Sequence, residues 1–178
     1  MKSAILIAVA LAAPASAKVV ADNAAGFAIE HEAVIAASPQ RVYAAIGQPA
    51  RWWSSAHSWS GKAANLTLDL RAGGCFCERL PGGGGVEHAR VVMAWPGKLV
   101  RMTGALGPLQ SEALAATMTW ELKPVASGTQ VKLTYVVAGF ARTARAALPG
   151  AVDGVLGEQL TRLKAFAEVP KTGRRSGS

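Results

Sequence analysis

The side chains best suited to chemistry stand close together in this sequence: Cys75, Cys77, Glu78, His88 and Arg90. On neighbouring strands, a carboxylate, an imidazole and a guanidinium could transfer protons or orient a carbonyl group. The same three groups could instead form a salt-bridge ladder on the solvent-facing side of a sheet. The ladder is the favoured interpretation, because the positions that alternate with these residues are more apolar and more typical of a core.

The register of the intervening hairpin decides which residue faces His88. Counting back from the loop Pro81–Gly85 places Glu78 nearest to His88, whereas a slip of one residue would pair Cys77 with it. Such a slip moves every side chain of a strand to the opposite face. The sequence pattern alone therefore does not decide which face of the sheet carries this cluster.

Cys75 and Cys77 stand two residues apart in a predicted strand, so their side chains share a face. About 7 Å separates such positions, and a disulfide would need a bulge, which Gly73-Gly74 could provide. As metal ligands the two cysteines lack the spacing of a structural zinc site, even with His88 as a third candidate. We expect two small core residues, no metal and no cofactor, with the disulfide as an open alternative in an oxidising compartment.

The N-terminus has the composition of a secretory signal peptide. Lys2 precedes the apolar run Ala4–Ala13, and Pro14-Ala15-Ser16-Ala17 ends it with small residues. The run is too short for a permanent membrane anchor. We therefore expect cleavage after Ala17 and a periplasmic or secreted protein without an integral membrane segment. Residues 18–25 are then predicted to be a loose leader, and residues 170–178 a disordered basic tail.

Length and charge exclude some classes of protein. The chain has 178 residues, enough for one domain with a proper core. Its net charge of +8 is scattered along the sequence. Nucleic-acid binding would favour a basic stripe with interleaved aromatic residues. Because the sequence has no such stripe, we expect no nucleic-acid partner.

The elements that must position the chemical groups form an α+β pattern. Residues 26–37 alternate as a strand, and Ser38-Pro39 then begins a helix that Gly47 ends. A second short helix is predicted over Pro49–Trp53, followed by six strands joined by turns. The segment Leu148–Val169 has apolar residues at steps of three and four, which predicts an amphipathic helix roughly 30 Å long. Its apolar stripe must pack against the preceding strands.

Aromatic residues are concentrated in the polar segment Arg51–Gly61, which contains Trp52, Trp53, His57 and Trp59. Aromatic side chains with a polar tip suit the rim of a pocket, where one end is dry and the other is wet. Alternatively, Trp52 or Trp53 fills one end of the core, and we expect this of one of them. His57 among serines does not form a catalytic triad.

Several motifs in order resemble one known superfamily. The motifs are Ala37-Ser38-Pro39-x-x-Val42-Tyr43, Trp52-Trp53, Gly73-Gly74-x-Phe76-x-Glu78-Arg79, Arg90-Val91 before Pro96, Thr119-Trp120-x-Leu122-x-Pro124 and Gly128-Thr129-x-Val131-x-Leu133-Thr134. Together they resemble the START-like (SRPBCC) helix-grip superfamily, on the branch with polyketide cyclases and activators of the heat-shock chaperone ATPase. The resemblance covers roughly Phe27 to Glu168.

The resemblance implies a β-α-α-β6-α domain over residues 26–169, in which a curved antiparallel sheet of about seven strands wraps around the C-terminal helix. It also implies a cavity between sheet and helix. Because the family motif contains a Glu at this position, Glu78 remains a candidate site residue despite the ladder interpretation. The residues expected to bind a ligand there are Trp53, Trp59, Phe76, Glu78, His88, Arg90, Trp120, Leu156 and Leu160. The members of this superfamily range from lipid carriers to cyclases, so the fold does not decide the activity.

These observations favour an exported single-domain protein that binds a small apolar or amphipathic ligand between the sheet and the C-terminal helix. The alternative is a cyclase- or hydrolase-type enzyme that uses Glu78 with His88 or Arg90 in the same cavity. A hollow interior without converging ionisable groups would favour binding. Glu78 and His88 pointing into that interior would favour chemistry.

Overall fold

The structure, a computed structural model, describes residues 16–142 and 145–169. Its strands are β1 Ser16–Asn23, β2 Gly26–Ile35, β3 Leu66–Leu68, β4 Cys75–Arg79, β5 Gly85–Trp95, β6 Leu99–Thr103, β7 Ala113–Val125 and β8 Gly128–Phe140. The α-helices are α1 Pro39–Ile46 and α2 Leu148–Glu168. The strands form one eight-stranded antiparallel sheet in the order β1-β2-β8-β7-β6-β5-β4-β3. This architecture confirms the predicted α+β helix-grip fold.

The first strand corrects the prediction of a loose leader over residues 18–25. Strand β1 pairs antiparallel with β2 along its whole length, and Val19 packs against the edge of the core. The outer edge of β2 would otherwise expose a row of unpaired N–H and C=O groups. The sheet therefore has eight strands rather than about seven.

The helical wedge after β2 follows the local sequence signals. The Ser38 hydroxyl accepts a hydrogen bond from the Arg41 N–H at 3.4 Å, and Pro39 is the first helical residue of α1. Gly47 is the C-cap, as predicted. The predicted second helix is only a 3₁₀ turn over Pro49–Arg51.

Helix α2 packs its apolar stripe on the concave face of the sheet. Leu156, Leu160 and Leu163 are fully buried there. On the other side of the stripe, the buried Gln159 accepts a hydrogen bond from the Ser54 N–H at 2.8 Å. Arg162 Nε donates to the Trp52 carbonyl at 2.7 Å. These polar contacts attach α2 to the tryptophan-containing segment that follows α1.

Two β-bulges change the faces of side chains along β5. Phe76 pairs with Ala89 but Cys77 pairs with Glu87, so His88 is an extra residue in β5. Val92 is the extra residue of a second bulge opposite β6. A bulge breaks the strict alternation of a strand and re-aims the neighbouring side chains. As a result, both His88 and Ala89 are buried.

Within the described ranges, neither α-helix is both long and apolar enough to cross a bilayer. The predicted signal sequence lies almost entirely outside these ranges, and so does the predicted basic tail from residue 170.

Candidate functional site

A cavity of about 430 Å³ lies between α2 and one end of the sheet. Its lining residues are Trp53, Ala56, His57, Ser58, Trp59, Leu66, Phe76, His88, Leu106, Gly107, Pro108, Leu109, Leu148, Ala151, Val152, Val155 and Leu156. Most of these side chains are apolar, and the volume is that of a pocket for a small molecule. The expected hollow between sheet and helix is therefore present.

A buried pair of ionisable residues lies beside this cavity: His88 lines it, and Glu78 lies behind His88. Glu78 is 2% exposed and His88 is 6% exposed, and Glu78 Oε2 is 2.9 Å from His88 Nε2. Both side chains point to the concave face, which contradicts the favoured interpretation of a solvent-facing ladder. The bulge at His88 is the reason, because it turns the imidazole inward while Glu87 and Arg90 on either side stay outward.

The exposed residues His57 and Trp59 line the cavity and form what we call its mouth. Glu78 connects the sheet to this part of the chain. Its carboxylate accepts hydrogen bonds from the Trp59 N–H at 3.0 Å and from the Ser60 N–H at 2.6 Å. Burial by itself raises the pKa of Glu78, but the hydrogen bonds from Ser60, Trp59 and His88 outweigh it and lower the pKa below its ordinary value. Glu78 is therefore ionised at neutral pH.

His88 is neutral at the same pH. Burial lowers the pKa of His88, and the nearby Glu78 carboxylate raises it by less, so the net shift is downward. A neutral imidazole facing a carboxylate donates its Nε2–H to that carboxylate. The Nδ1 lone pair is then an acceptor, and no hydrogen bond to it is found within the described residues. The ring packs against Phe76 with centroids 5.0 Å apart and the ring planes tilted by 37°.

The tryptophans divide between cavity and core. Trp53 lines the cavity, and its indole N–H donates to the His57 carbonyl at 2.9 Å. Trp59 is 54% exposed and lies at the mouth. Trp52 is buried, donates to the Ala45 carbonyl at 2.8 Å and packs against Trp120. Trp52 is thus the tryptophan that fills one end of the core, as expected of one of the pair.

Four predicted site residues are not among the residues that line the cavity: Glu78, which lies behind His88, and Arg90, Trp120 and Leu160. Trp120 is fully buried and borders a separate void of about 10 Å³, which is too small for a ligand. Leu160 is packed in the core one helical turn beyond Leu156, which does line the cavity. The helix stripe is longer than the cavity, so only its first part reaches the hollow region.

The expected position of Arg90 in the cavity is wrong. Its side chain lies on the outer face of the sheet, the face away from α2, where it pairs with Glu87 and donates to the Gly73 carbonyl at 3.0 Å. Arg101 of the neighbouring strand β6 donates to Thr119 Oγ1 at 3.0 Å and is only partly buried. Neither guanidinium borders the cavity.

Sequence reasoning did not predict that the loop after β6 contributes to the cavity. Leu106, Pro108 and Leu109 of this loop line the cavity. The buried Tyr135 hydroxyl holds the loop: it accepts from the Leu106 N–H at 2.9 Å and donates to the Gly104 carbonyl at 3.2 Å. Burial raises the pKa of Tyr135 to about 12, so this hydroxyl keeps its proton. The sequence feature that could have identified this loop is its apolar composition, which is unusual for an exposed connection.

Cys75 and Cys77 form a disulfide on the outer face of β4, with Cα atoms 5.4 Å apart. They are therefore not the two free core residues that the sequence analysis favoured. The ligand atoms of both cysteines and Glu87 lie within 4.8 Å of one another. Bonded sulfurs are not thiolates, the form that metals bind. The absence of a metal here stays a prediction.

Comparison with known proteins places the chain in a family. A family model described as polyketide cyclase / dehydrase and lipid transport matches residues 27–168. No curated protein matches the sequence. Among solved structures, a Rhizobium leguminosarum protein shares 20% identity at a TM-score of 0.61, covering 89% of this chain and 100% of its own. A Mesorhizobium loti protein shares 20% identity at a TM-score of 0.57, covering 78% of this chain and 95% of its own.

A protein from Rhizobium loti shares 26% identity at a TM-score of 0.56, and the match covers 78% of this chain and 94% of that protein. These structures show the same fold. The family model covers nearly the segment over which the sequence motifs were recognised, from β2 to the end of α2. The chain therefore belongs to the polyketide cyclase / dehydrase and lipid transport family, within the START-like (SRPBCC) superfamily.

Proposed function

We propose that this protein binds a small apolar or amphipathic molecule in the cavity between α2 and the sheet. The observation that carries the proposal is the mostly apolar cavity of about 430 Å³. Each 100 Å² of ligand carbon removed from water would contribute about 2.5 kcal/mol to binding. The family description, which includes lipid transport, supports the same class of ligand.

The polar groups of the cavity suggest the kind of ligand. His88 presents an acceptor nitrogen to the cavity, because its Nε2–H is directed to Glu78. A ligand with a hydroxyl or N–H group would place that donor against His88 Nδ1. The rest of the ligand would contact the aromatic rings of Trp53 and Phe76. Phenols and other hydroxylated ring compounds match this arrangement.

Binding can be tested with 1-anilinonaphthalene-8-sulfonate, an amphipathic dye that fluoresces in apolar sites. Val155→Trp places a large ring in the cavity, whereas the matched variant Ala165→Trp adds the same ring on the exposed side of α2. We expect the first variant to lose dye binding and the second to keep it. Equal dye affinity in both variants would contradict the proposal. Native mass spectrometry of protein purified from its own source would then identify the natural ligand.

A second candidate function is proton-transfer catalysis of the cyclase or hydrolase type. The buried Glu78–His88 pair favours it, since an ionised carboxylate orients a neutral imidazole whose free nitrogen borders the cavity. In this function, His88 Nδ1 removes a proton from the ligand and Glu78 stabilises the imidazolium that forms. Arg90 has no part, because its side chain lies on the other face.

The catalytic function can be tested by the base-catalysed ring opening of 5-nitrobenzisoxazole, which reports a base in an apolar site. His88→Gln should abolish turnover while dye binding persists. If His88 is the base, the rate of ring opening should rise as the pH increases through the pKa of His88, which lies below 6.5. If wild type and His88→Gln react equally, the protein binds without catalysis at this pair.

We also propose export with cleavage after Ala17, supported by the charge and apolar pattern of the N-terminus. Cleavage there would remove the first two residues of β1, Ser16 and Ala17, and leave Lys18–Asn23 to pair with β2. The intact mass of protein from the cell envelope tests this proposal. A mass that begins at Met1 would overturn it.

A further inference from the structure

The Cys75–Cys77 disulfide lies outside the cavity, and neither candidate function uses it. Both residues are partly exposed, and they are separated by only 2 positions in the sequence. They belong to one strand that β3 and β5 already hold on either side. A bond that closes so short a loop removes little entropy from the unfolded chain and joins no separate elements. Its location therefore gives it little value as a structural cross-link.

The bond changes the shape of β4. In an extended strand, alternate Cα atoms lie roughly 6.7 Å apart. The Cα atoms of Cys75 and Cys77 are 5.4 Å apart, so β4 is shorter here than a regular strand. The bulge that turns His88 into the cavity lies directly opposite this shortened segment. Without the bond, β4 is free to extend and its pairing with β5 can change.

The residue between the two cysteines belongs to the cavity wall. Phe76 is 3% exposed, and it points to the concave face while the disulfide lies on the outer face. Its ring is 5.0 Å from the His88 ring and 5.3 Å from the Trp53 ring. Any change in the spacing of Cys75 and Cys77 therefore moves a side chain that shapes the cavity.

We propose that Cys75–Cys77 is a reversible thiol–disulfide exchange site for dithiols, and that its reduction reshapes the cavity through Phe76. A thiolate of the dithiol attacks one of the two sulfurs, and a mixed disulfide forms as the other cysteine leaves as a thiolate and takes a proton. The second thiol of the dithiol then attacks the mixed disulfide and releases the remaining cysteine. Two electrons and two protons pass to the protein, and the dithiol becomes a disulfide.

The surroundings of the disulfide suit such an exchange. Glu87 Oε2 lies 3.9 Å from Cys75 Sγ, and the same carboxylate pairs with Arg90. The guanidinium offsets the negative charge of the carboxylate beside a departing thiolate.

The exchange is tested by incubating the folded full-length protein in mixtures of reduced and oxidised dithiothreitol and labelling free thiols with a maleimide. Intact mass counts the labels. We expect both cysteines to be labelled in the reduced protein and to become protected again when oxidised dithiothreitol is restored. A disulfide that resists dithiothreitol until a denaturant is added would overturn the exchange site.

The effect on the cavity is tested by the affinity of 1-anilinonaphthalene-8-sulfonate for the oxidised protein, the reduced protein and a Cys75→Ser/Cys77→Ser variant. We expect the reduced protein and the variant to agree and to differ from the oxidised protein by about fivefold or more. Linkage requires saturating dye to shift the dithiothreitol equilibrium by the same factor. Equal affinities in all three forms would overturn the coupling.

The coupling to the cavity rests on the proposed binding function, whereas the exchange reaction does not. If none of the three forms binds the dye, both the binding function and the coupling fail. The maleimide result still decides the exchange site in that case, so the two failures are distinguishable.

Discussion

Replacing Glu78 by glutamine tests whether this carboxylate holds the cavity mouth in place. The Glu78→Gln change keeps the shape of the side chain but removes its charge. The carboxylate now accepts hydrogen bonds from the Trp59 N–H, the Ser60 N–H and His88. A glutamine oxygen in the Oε2 position can keep the contacts with Trp59 and His88. Its NH₂ group then faces the Ser60 N–H, so a donor meets a donor.

The cost follows from these contacts. Loss of the Ser60 hydrogen bond to a charged acceptor costs about 1.5–3 kcal/mol. Changing the other two acceptor contacts from charged to neutral costs about 1 kcal/mol each. Removing a buried charge recovers about 1–2 kcal/mol. We therefore expect the free energy of unfolding to fall by about 1.5–4 kcal/mol at pH 7.

Urea denaturation followed by tryptophan fluorescence measures this change. The matched control is Glu87→Gln, which neutralises an exposed carboxylate that pairs with Arg90 on the outer face. Exposed ion pairs of this kind contribute about 0–1 kcal/mol. The reasoning is refuted if the two variants lose the same amount of stability.

The pH dependence gives the same experiment a second readout. The folded-state pKa of Glu78 lies below its ordinary value of 4.5, so its stabilisation is complete above that value and is lost as the pH falls through the folded-state pKa. The pKa of His88 is also lowered, from 6.5, so its contribution is complete above 6.5 and declines as the pH falls below it. The difference in stability between wild type and Glu78→Gln should therefore shrink on acidification below 4.5. A difference that stays constant there would mean that Glu78 does not have a lowered pKa.

Two further pairs of variants test how α2 packs. Leu163→Ala should destabilise the protein by about 3–5 kcal/mol, whereas Leu156→Ala, whose side chain already borders a cavity, should cost about 2–3 kcal/mol. Equal losses of stability in urea melts would contradict the conclusion that Leu156 borders the cavity. Gly154→Ala, with open space around the new Cβ, should stabilise the helix by about 0.5–1 kcal/mol. Gly157→Ala should not give this stabilisation in the same melts, because its Cβ would lie 3.0 Å from His31 Cε1 in the core. Equal stabilisation by both substitutions would contradict this contact.

The reason for the close approach at Gly157 is the position of His31. This imidazole is buried between β2 and α2, and its Nε2 lies 3.1 Å from Asp153 Oδ1. The distance is that of an ion pair, although the angles are not those of a hydrogen bond. A glycine on the facing helix leaves space for the ring, and a methyl group would not.

Local sequence signals alone determined the helices and most strands of this protein. Helix α2 follows from apolar residues at steps of three and four, and the start of α1 follows from Ser38 and Pro39. These signals succeed because each depends on residues within one or two turns of the chain. The motif order then predicted the family, and with it the cavity between sheet and helix.

Only the tertiary structure decided which face the chemical groups occupy. An alternating pattern predicts faces correctly only while the strand register is unbroken, and the bulge at His88 breaks it. That one extra residue brings Glu78 and His88 together in the interior and leaves Arg90 outside. The disulfide of Cys75 and Cys77 likewise depends on a Cα distance that no spacing rule for a regular strand allows. Both features depend on how β4 and β5 pair in the folded sheet, which the alternation of residues along a single strand does not reveal.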